Sequence, residues 1–354
     1  MKNSIIYLSF LLFVFLQSCE TCEFTEITES VTPVTCDGTF FAMRINTNTT
    51  GKIAGYFFDS LSKSIPTPFS SGQLEEFPQT IFSNDHFPSD FSAFDPVHKT
   101  YAFATQYENF GSRPLFVADL APYDAGLRIA QSSFAAPVFL NGKLYAIQAG
   151  GEPPRIQYTV VEIDLQTGMT TSLFSEMVTA NSLFMNQAMT SASNHSDEIY
   201  FLSATNLITY TPGTSTATYT DIDVSHNVNN QVIYYGLEYQ QSEKQLLAIK
   251  GILQSPVPVS ELVSISLDGT QQVTPIIDIQ KNLGSENDGE ISPEFYSTTF
   301  SQCDDVYYIS ELVEIEPAGG ILESFIIEVD LEEMTLRENR VEGYYYGLEV
   351  AERE

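Results

Sequence analysis

The stretch "EGYYYGLEVAER" runs from Glu342 to Arg353, and its "YYGLE" (Tyr345 to Glu349) repeats the "YYGLE" at Tyr234 to Glu238. Repetition of a short segment at a distance is the sequence sign of a repeat architecture. At its first occurrence the pentapeptide is followed by a polar turn and then by a second apolar run, Gln245 to Gly251. The pentapeptide therefore predicts a β-strand that opens a repeating unit.

A run of aromatic and branched residues, typical of a buried strand, recurs along the chain. We call these runs second strands: Thr39–Ile45, Thr100–Thr105, Lys143–Gln148, Glu198–Ala204, Gln245–Gly251 and Val306–Glu311. Each is followed by a further apolar run that ends in a turn signal, for example Asp268–Gly269, and most are then followed by a short alternating strand. Each unit therefore has at least a second, a third and a fourth strand.

A strand also precedes most second strands across a short polar turn. These first strands are Phe91–Asp95, Ala136–Leu140, Asn186–Ala192, Tyr235–Tyr239 and Glu294–Phe300. The earliest unit has none before it, and the repeated pentapeptide at Tyr345–Glu349 supplies the missing one. Units of about 50 residues with four antiparallel strands are typical of β-propellers, which must protect their sheet edges.

We predict an all-β fold: a six-bladed β-propeller over residues 38–354, whose ring is closed by the C-terminal strand pairing into the first blade. Residues 62–90 leave room for a seventh blade. The units resemble generic propeller repeats and match no specific named family, because the kelch, Trp-Asp and sialidase motifs need a tryptophan that this chain lacks.

The first 18 residues have the layout of a secretory signal: Lys2, an apolar run to Leu16, then "LQSC". This segment resembles the signal of bacterial lipoproteins, which implies diacylation of Cys19 and a stable membrane anchor. The acidic residues of the tether 19–37 resemble the surface-export signal of Bacteroidetes-type lipoproteins. We expect an exported, outer-membrane protein exposed at the cell surface; the alternatives are an ordinary cleaved signal peptide and a plain solvated tether.

The chain carries 15 basic and 46 acidic residues, a net charge of −31. Such a charge repels nucleic acid, so nucleic-acid binding is excluded as a function class. With Cys19 assigned to lipid, Cys22, Cys36 and Cys303 leave room for one disulfide in an oxidising compartment. The sequence leaves the pairing among these three open.

Long irregular loops follow the second and fourth strands and share one face of a propeller, which we call the long-loop face. Arg113 and Arg155 lie on such loops, with Tyr107 and Tyr158 close in sequence. A guanidinium flanked by aromatic rings suits a carboxylate or a sugar acid, so these four residues are predicted to bind a ligand. The alternative is that each arginine pairs with a neighbouring glutamate, such as Glu108 or Glu152.

The loop "SENDGE" brings Glu286, Asp288 and Glu290 together at alternate positions, a spacing that suits calcium. The alternative is a solvated acidic loop, since the segment does not match an EF-hand. No other cofactor is predicted, and no nucleophile elbow or phosphate-binding loop marks a catalytic residue.

We expect a monomeric, membrane-anchored binding module that engages a protein partner or a glycan through the long-loop face, and that is not an enzyme. The alternative function is a secreted polysaccharide hydrolase or lyase that uses carboxylates near the central channel.

Overall fold

The computed structural model describes residues 35–47, 53–62, 68–73, 92–104, 113–119, 128–132, 134–152, 155–179, 189–203, 205–222, 232–252, 259–279, 297–314, 322–342 and 344–353. All of them belong to one compact unit, Val34–Glu354. The predicted signal segment, the predicted tether up to residue 34 and Cys19 lie outside this set. In the part of the chain that is described, no helix is long and apolar enough to cross a membrane.

The described residues form six sheets of four antiparallel strands. Sheet 1 has the order β24-β1-β2-β3: β24 (Tyr344–Arg353), β1 (Thr35–Thr47), β2 (Ile53–Ser62) and β3 (Pro68–Gln73). Sheet 2 contains β4 (Ser92–Asp95), β5 (Thr100–Ala104), β6 (Arg113–Asp119) and β7 (Arg128–Ser132). Sheet 3 contains β8 (Ala135–Leu140), β9 (Lys143–Glu152), β10 (Arg155–Ile163) and β11 (Thr170–Thr179).

The other three sheets follow the same sequential order. Sheet 4 contains β12 (Met189–Ser193), β13 (Ile199–Ser203), β14 (Asn206–Thr211) and β15 (Thr216–Asp221). Sheet 5 contains β16 (Val232–Gln240), β17 (Gln245–Ile252), β18 (Val259–Ser266) and β19 (Val273–Asp278). Sheet 6 contains β20 (Ser297–Ser301), β21 (Val306–Glu314), β22 (Leu322–Asp330) and β23 (Thr335–Glu342).

The first strands of the six sheets are β24, β4, β8, β12, β16 and β20. Each contacts the first strand of the next sheet along the chain, and β24 contacts both β20 and β4. The repeated C-terminal stretch pairs antiparallel with β1, with Val350 opposite Phe40 and Tyr345 opposite Arg44. The pairing of the C-terminal strand with the earliest unit is therefore confirmed.

Apolar side chains fill the spaces between neighbouring sheets. One cluster joins Ile147 of sheet 3 to Phe201 of sheet 4, and others join sheets 2 and 3, 4 and 5, 5 and 6, and 6 and 1. Between sheets 1 and 2, the rings of Phe41 and Phe94 lie 5.1 Å apart. Because each fully buried side chain contributes about 1.5–3 kcal/mol, these layers hold the sheets in their order around the first strands.

Three of the six first strands contain a β-bulge, and bulged and regular strands alternate around the first-strand contacts. The register shifts in β8, β16 and β24, whereas β4, β12 and β20 pair regularly with their second strands. Each bulge contains one residue with a left-handed backbone: Ala136 (φ 52°), Gly236 (φ 62°) and Gly347 (φ 59°). The architecture therefore repeats every two sheets at this level of detail.

Cys303 lies in the turn between β20 and β21 and is disulfide-bonded. Of the three cysteines that the sequence offers for one bridge, Cys303 is thus a partner. Of the pairings that the sequence leaves open, a Cys22–Cys36 bridge with Cys303 as the free thiol is therefore excluded.

Candidate functional site

A pocket of about 160 Å³ lies where the ends of the six first strands meet. Every first strand contributes to its lining, for example Ser92 of β4, Val138 of β8, Ser191 of β12, Thr298 of β20 and Glu349 of β24. Residues of the turns that follow first strands, including His195 and Gln241, form its rim. The pocket therefore opens on the face of the short turns between first and second strands, opposite the long-loop face. We call it the channel-mouth pocket.

Hydroxyl groups of the regular first strands satisfy the backbone of the bulged ones. Leu237, which follows Gly236 in its bulge, donates its N–H to Oγ1 of Thr190 at 2.6 Å. Leu348, which follows Gly347, likewise donates to Oγ of Ser297 at 2.9 Å. A bulge leaves a residue without its strand partner, and a buried N–H without an acceptor costs about 1–3 kcal/mol. The side chains of Thr190 and Ser297 therefore lock these two bulges in place.

The bulges are also held from the following sheet. The carbonyl of Gly347 accepts a hydrogen bond from the hydroxyl of Tyr101 at 2.7 Å, and the carbonyl of Gly236 accepts one from Tyr307. Burial, followed by the nearby Glu349 carboxylate, raises the pKa of Tyr101 well above its usual value. The tyrosine thus stays protonated and donates.

Two carboxylates face the pocket from equivalent positions. Glu238 and Glu349 are the last residues of the two "YYGLE" segments, and both are half-buried. Glu238 accepts a hydrogen bond from Thr298 at 3.2 Å, and Glu349 accepts one from Ser92 at 2.6 Å. In each case the donor lies on the first strand of the next sheet. The bulge and its neighbours thereby fix the direction of both side chains.

The third bulged strand differs at the corresponding position, where Val138 follows the Ala136–Pro137 bulge. The contact with sheet 4 also differs, because the hydroxyl of Ser191 donates a hydrogen bond to the carbonyl of Pro137 at 3.1 Å instead of accepting one from a backbone N–H. The pocket wall is therefore apolar on this side. Phe94, Phe139 and Phe300 extend the apolar surface elsewhere in the lining.

Amide side chains connect the turns at the rim. The N–H of Gln241 donates to Oε1 of Gln302 at 3.0 Å, and Nε2 of Gln240 donates to Asp305 at 2.7 Å. The turns after β16 and β20 are thus tied to each other, while the side chain of Gln241 remains exposed. The rim is supported by a network of hydrogen bonds between sheets.

The structure places some of the predicted site residues and leaves others undescribed. Arg113 and Arg155 are the first residues of β6 and β10, and the side chain of Arg155 is exposed. Glu152 is the cross-strand partner of Arg155 in the strand register. Tyr158 is buried and shares a hydrogen bond with Ser203 at 2.9 Å, which puts it in the core rather than on a binding surface.

The remaining predicted residues, Tyr107 and the calcium set Glu286, Asp288 and Glu290, lie outside the described residues. Their roles stay predictions, as does the ligand site around Arg113 and Arg155. Within the described ranges, no three His, Cys, Asp or Glu side chains come together as metal ligands.

Sequence reasoning missed Glu238 and Glu349 as site residues. The signal was present, because the repeated pentapeptide carries a glutamate at the same position in both copies. The pattern identifies that glutamate only as part of a strand, and the alternation of side chains along a strand does not show which strands of other sheets it will face.

The fold, but not the sequence, is similar to known proteins. No protein-family model matches the chain, and no curated protein matches its sequence. The structure of TolB from Acinetobacter baumannii is similar with a TM-score of 0.54 and 12% sequence identity, over 90% of this chain and 68% of that one. This likeness shows that the chain has a TolB-like β-propeller fold.

Two further structures are similar to a lower degree. A candidate TolB from Agrobacterium tumefaciens has a TM-score of 0.46 and 10% identity, over 87% of this chain and 91% of that one. An oligogalacturonate lyase in complex with manganese has a TM-score of 0.40 and 10% identity, over 84% of this chain and 77% of that one.

Proposed function

We propose that this protein is a six-bladed, ring-closed β-propeller that acts as a binding module of the cell envelope, with its binding site at the channel-mouth pocket. The sequence of contacts among the six first strands, which returns from β24 to β4, supports the closed ring and the blade count. A lipid on Cys19 would hold the module at the membrane, and this rests on the resemblance of residues 1–19 to a lipoprotein signal.

The observation that carries the proposal is the composition of the pocket lining. Hydroxyl, amide and carboxylate groups from five of the six first strands and their turns converge on one concavity, and β8 supplies an apolar side. Ligand sites combine an apolar wall with a small number of fixed polar groups, and this lining has both. Because the polar groups stand on strands rather than on loops, they are already in place before a ligand arrives.

The test is a thermal-shift panel on the full chain with Cys19→Ser, which removes the acylation site. Glycans, amines, metal ions and nucleotides are added one at a time, since a ligand that binds only the folded state raises the melting temperature. Each positive result is repeated with Gln241→Trp, which places an indole at the exposed rim without removing the backbone hydrogen bond to Gln302. Binding at the pocket is supported if this variant weakens it; equal shifts in both proteins contradict the proposed site.

The long-loop face remains a second binding surface in this proposal, with Arg113 and Arg155 as its carboxylate-binding pair. Arg113→Ala combined with Arg155→Ala is therefore run beside Gln241→Trp. A ligand that is lost only in the double arginine variant moves the site to the long-loop face.

A polysaccharide hydrolase or lyase is the second candidate function, because two carboxylates do line the channel-mouth pocket. Glycoside hydrolysis needs a pair of carboxyl groups, one as acid and one as base or nucleophile. The check is release of reducing or unsaturated ends from acidic and neutral polysaccharides. Loss of that release in Glu238→Gln and in Glu349→Gln supports catalysis, and no release from any substrate rules against it.

A further inference from the structure

Ser193 is a buried serine whose hydroxyl makes no hydrogen bond with any residue that the structure describes. It is the last residue of β12, and only 5% of its surface is exposed. Its oxygen is not enclosed by protein, and the open space that it meets is the channel-mouth pocket. The pocket therefore contains a buried hydroxyl group that has no protein partner.

Two hydroxyl groups on β20 also keep their protons for the pocket. The oxygen of Ser297 accepts a hydrogen bond from the N–H of Leu348 at 2.9 Å, and the oxygen of Thr299 accepts one from Val350 at 3.0 Å. A hydroxyl has one donor position besides its acceptor positions. Neither side chain donates to another described residue, and both residues are buried and line the pocket.

These three hydroxyl groups need acceptors, because buried polar groups in native proteins nearly always have a partner. The carboxylates of the pocket do not supply them, since Glu238 accepts from Thr298 and Glu349 accepts from Ser92. The acceptors must therefore come from the contents of the pocket. Water can fill this role in the absence of a ligand, and ligand oxygens can fill it when one is bound.

The charges of the lining restrict the ligand to a neutral one. Among the described lining residues there is neither lysine nor arginine, whereas Glu238 and Glu349 are present. An anionic ligand would offer acceptors but would meet like charge without a counter-charge. A neutral hydroxyl group both accepts from serine and threonine and donates to a carboxylate. The lining therefore favours a compound that carries several hydroxyl groups and no charge.

The size of the pocket restricts the ligand further. Its volume of about 160 Å³ is close to that of a protein cavity of about 150 Å³ that holds one benzene molecule. One six-membered ring therefore fits. Because the pocket is open at its rim, such a ring can enter alone or as the end of a longer chain.

We propose that the channel-mouth pocket binds one neutral sugar ring, whose oxygens accept hydrogen bonds from Ser193, Ser297 and Thr299. This inference rests on the proposed function and names the ligand class of the same site. Two sources carry this chemistry, a free monosaccharide and the terminal unit of a glycan.

The experiment is saturation-transfer NMR with titration on the full chain with Cys19→Ser. The probes are D-galactose and D-glucose for the free sugar, and lactose for a terminal galactose. D-galacturonate is the matched charged ring. We expect saturation transfer to at least one neutral sugar, with an affinity that does not change with added salt. Galacturonate should bind at least about tenfold more weakly than galactose.

Ser193→Ala separates a role in binding from a role in the fold. The variant removes a hydroxyl that has no described protein partner, so the melting temperature should not fall. The affinity for the bound sugar should fall about two- to tenfold, because one hydrogen bond to the ligand is lost. The matched control is Ser172→Ala, which removes an exposed hydroxyl from β11 and should change neither quantity.

The two sources are distinguished by lactose. If it binds as tightly as galactose, the terminal unit of a glycan is a source, and if only a free sugar binds, the ligand is a monosaccharide. A sugar affinity that is equal in Ser193→Ala and Ser172→Ala overturns the inference. So does a fall in the melting temperature of Ser193→Ala alone, because the hydroxyl would then serve the fold.

A pocket that holds only water gives no saturation transfer to galactose, glucose or lactose, and this result also overturns the inference. In that case the proposed function stands if another ligand of the thermal-shift panel is lost in Gln241→Trp. If no ligand of any class is affected by Gln241→Trp, the proposed function fails together with this inference.

Discussion

Gly236 and Gly347 perform the same structural task in two different sheets. Both have a left-handed backbone, with φ of 62° and 59°, and each carbonyl accepts a hydrogen bond from a tyrosine of the following sheet, Tyr307 and Tyr101 respectively. The identical pentapeptides therefore make equivalent hydrogen bonds to the sheets on either side.

Gly236→Ala should destabilise the protein by about 2–4 kcal/mol. A β-carbon at this position would lie 2.5 Å from side-chain atoms of Thr298 and Tyr307, which forces overpacking, and the left-handed backbone adds a further penalty. Urea unfolding measures the change. The control is Gly213→Ala, where a β-carbon meets nothing within 4 Å. Equal losses in the two variants would show that the close approach is not what fixes this glycine.

Deletion of Gly343–Glu354 should abolish cooperative unfolding. The deletion removes β24, the partner of β1, and takes the fully buried side chains of Tyr345 and Leu348 from the core. Exposed strand edges on sheet 1 also favour aggregation. Calorimetry and light scattering report both effects.

A synthetic peptide of residues 343–354 is the control for this deletion. When it is added in excess, it should restore part of the lost stability by pairing with β1, as a ligand of the folded state. A truncated chain that melts like the full chain contradicts the role of the repeated stretch in completing sheet 1.

The disulfide of Cys303 should have Cys36 as its partner. β24 runs beside β20, with hydrogen bonds from Leu348 to Ser297 and from Val350 to Thr299, and thus heads toward the turn that contains Cys303. Thr35, next to Cys36, is the register partner of Arg353 at the end of β24. Mass spectrometry of a non-reduced digest identifies the bridge.

Reduction of this bridge should lower the melting temperature, because a link across a long stretch of chain restricts the unfolded state by several kcal/mol. Cys303→Ser should melt at the reduced value and should not respond to reductant. A peptide that links Cys303 to Cys22 overturns the assignment.

The free energy of unfolding should fall between about pH 10 and pH 12. Burial, followed by the nearby Glu162 carboxylate, raises the pKa of Tyr145 from 10.0 to about 12. Since the folded state keeps its proton at a pH where the unfolded state has lost it, unfolding releases a proton in this window and stability declines as pH rises. Denaturant titrations at several pH values, with tyrosinate absorbance, follow the effect.

Tyr145→Phe serves as the comparison for this pH range. The variant lacks the ionisable group, so its stability should decline less steeply between pH 10 and pH 12, even if it is lower at neutral pH. Parallel declines in the two proteins would assign the effect to other buried tyrosines, such as Tyr101 and Tyr158, whose pKa values are also raised by burial.

The strands were predictable because each one carries its own signal. β13 and β17 read as apolar runs between polar turns, and the repeated pentapeptide identified a strand whose partner lies some 300 residues away. The local pattern of apolar residues, together with one repeated segment, was thus sufficient to predict the strands of the sheets. The bulges were not predictable, since a bulge at Ala136 depends on contacts with the next sheet that no local pattern contains.

The pocket was not predictable for a related reason. Its lining comes from six segments that are far apart in sequence, and each contributes two to five residues that look ordinary in isolation. Sequence proximity also selected a residue that is not at the surface. Tyr158 lies near Arg155 in sequence, but the alternation of β10 turns its ring into the core. Proximity in sequence therefore suggested a site around Arg155, whereas the structure brings Glu238 and Glu349 into one cavity.

The pairing of β1 with β24 also has a consequence for the order of folding. Sheets 2 to 6 are each made from one continuous segment and need no strand from elsewhere in the chain. Sheet 1 needs residues 35–47 and 344–353 together, so it cannot assemble until the chain is available up to residue 353. Until then β1 lacks one of its two strand partners. The first sheet along the chain is therefore the last to reach its native structure.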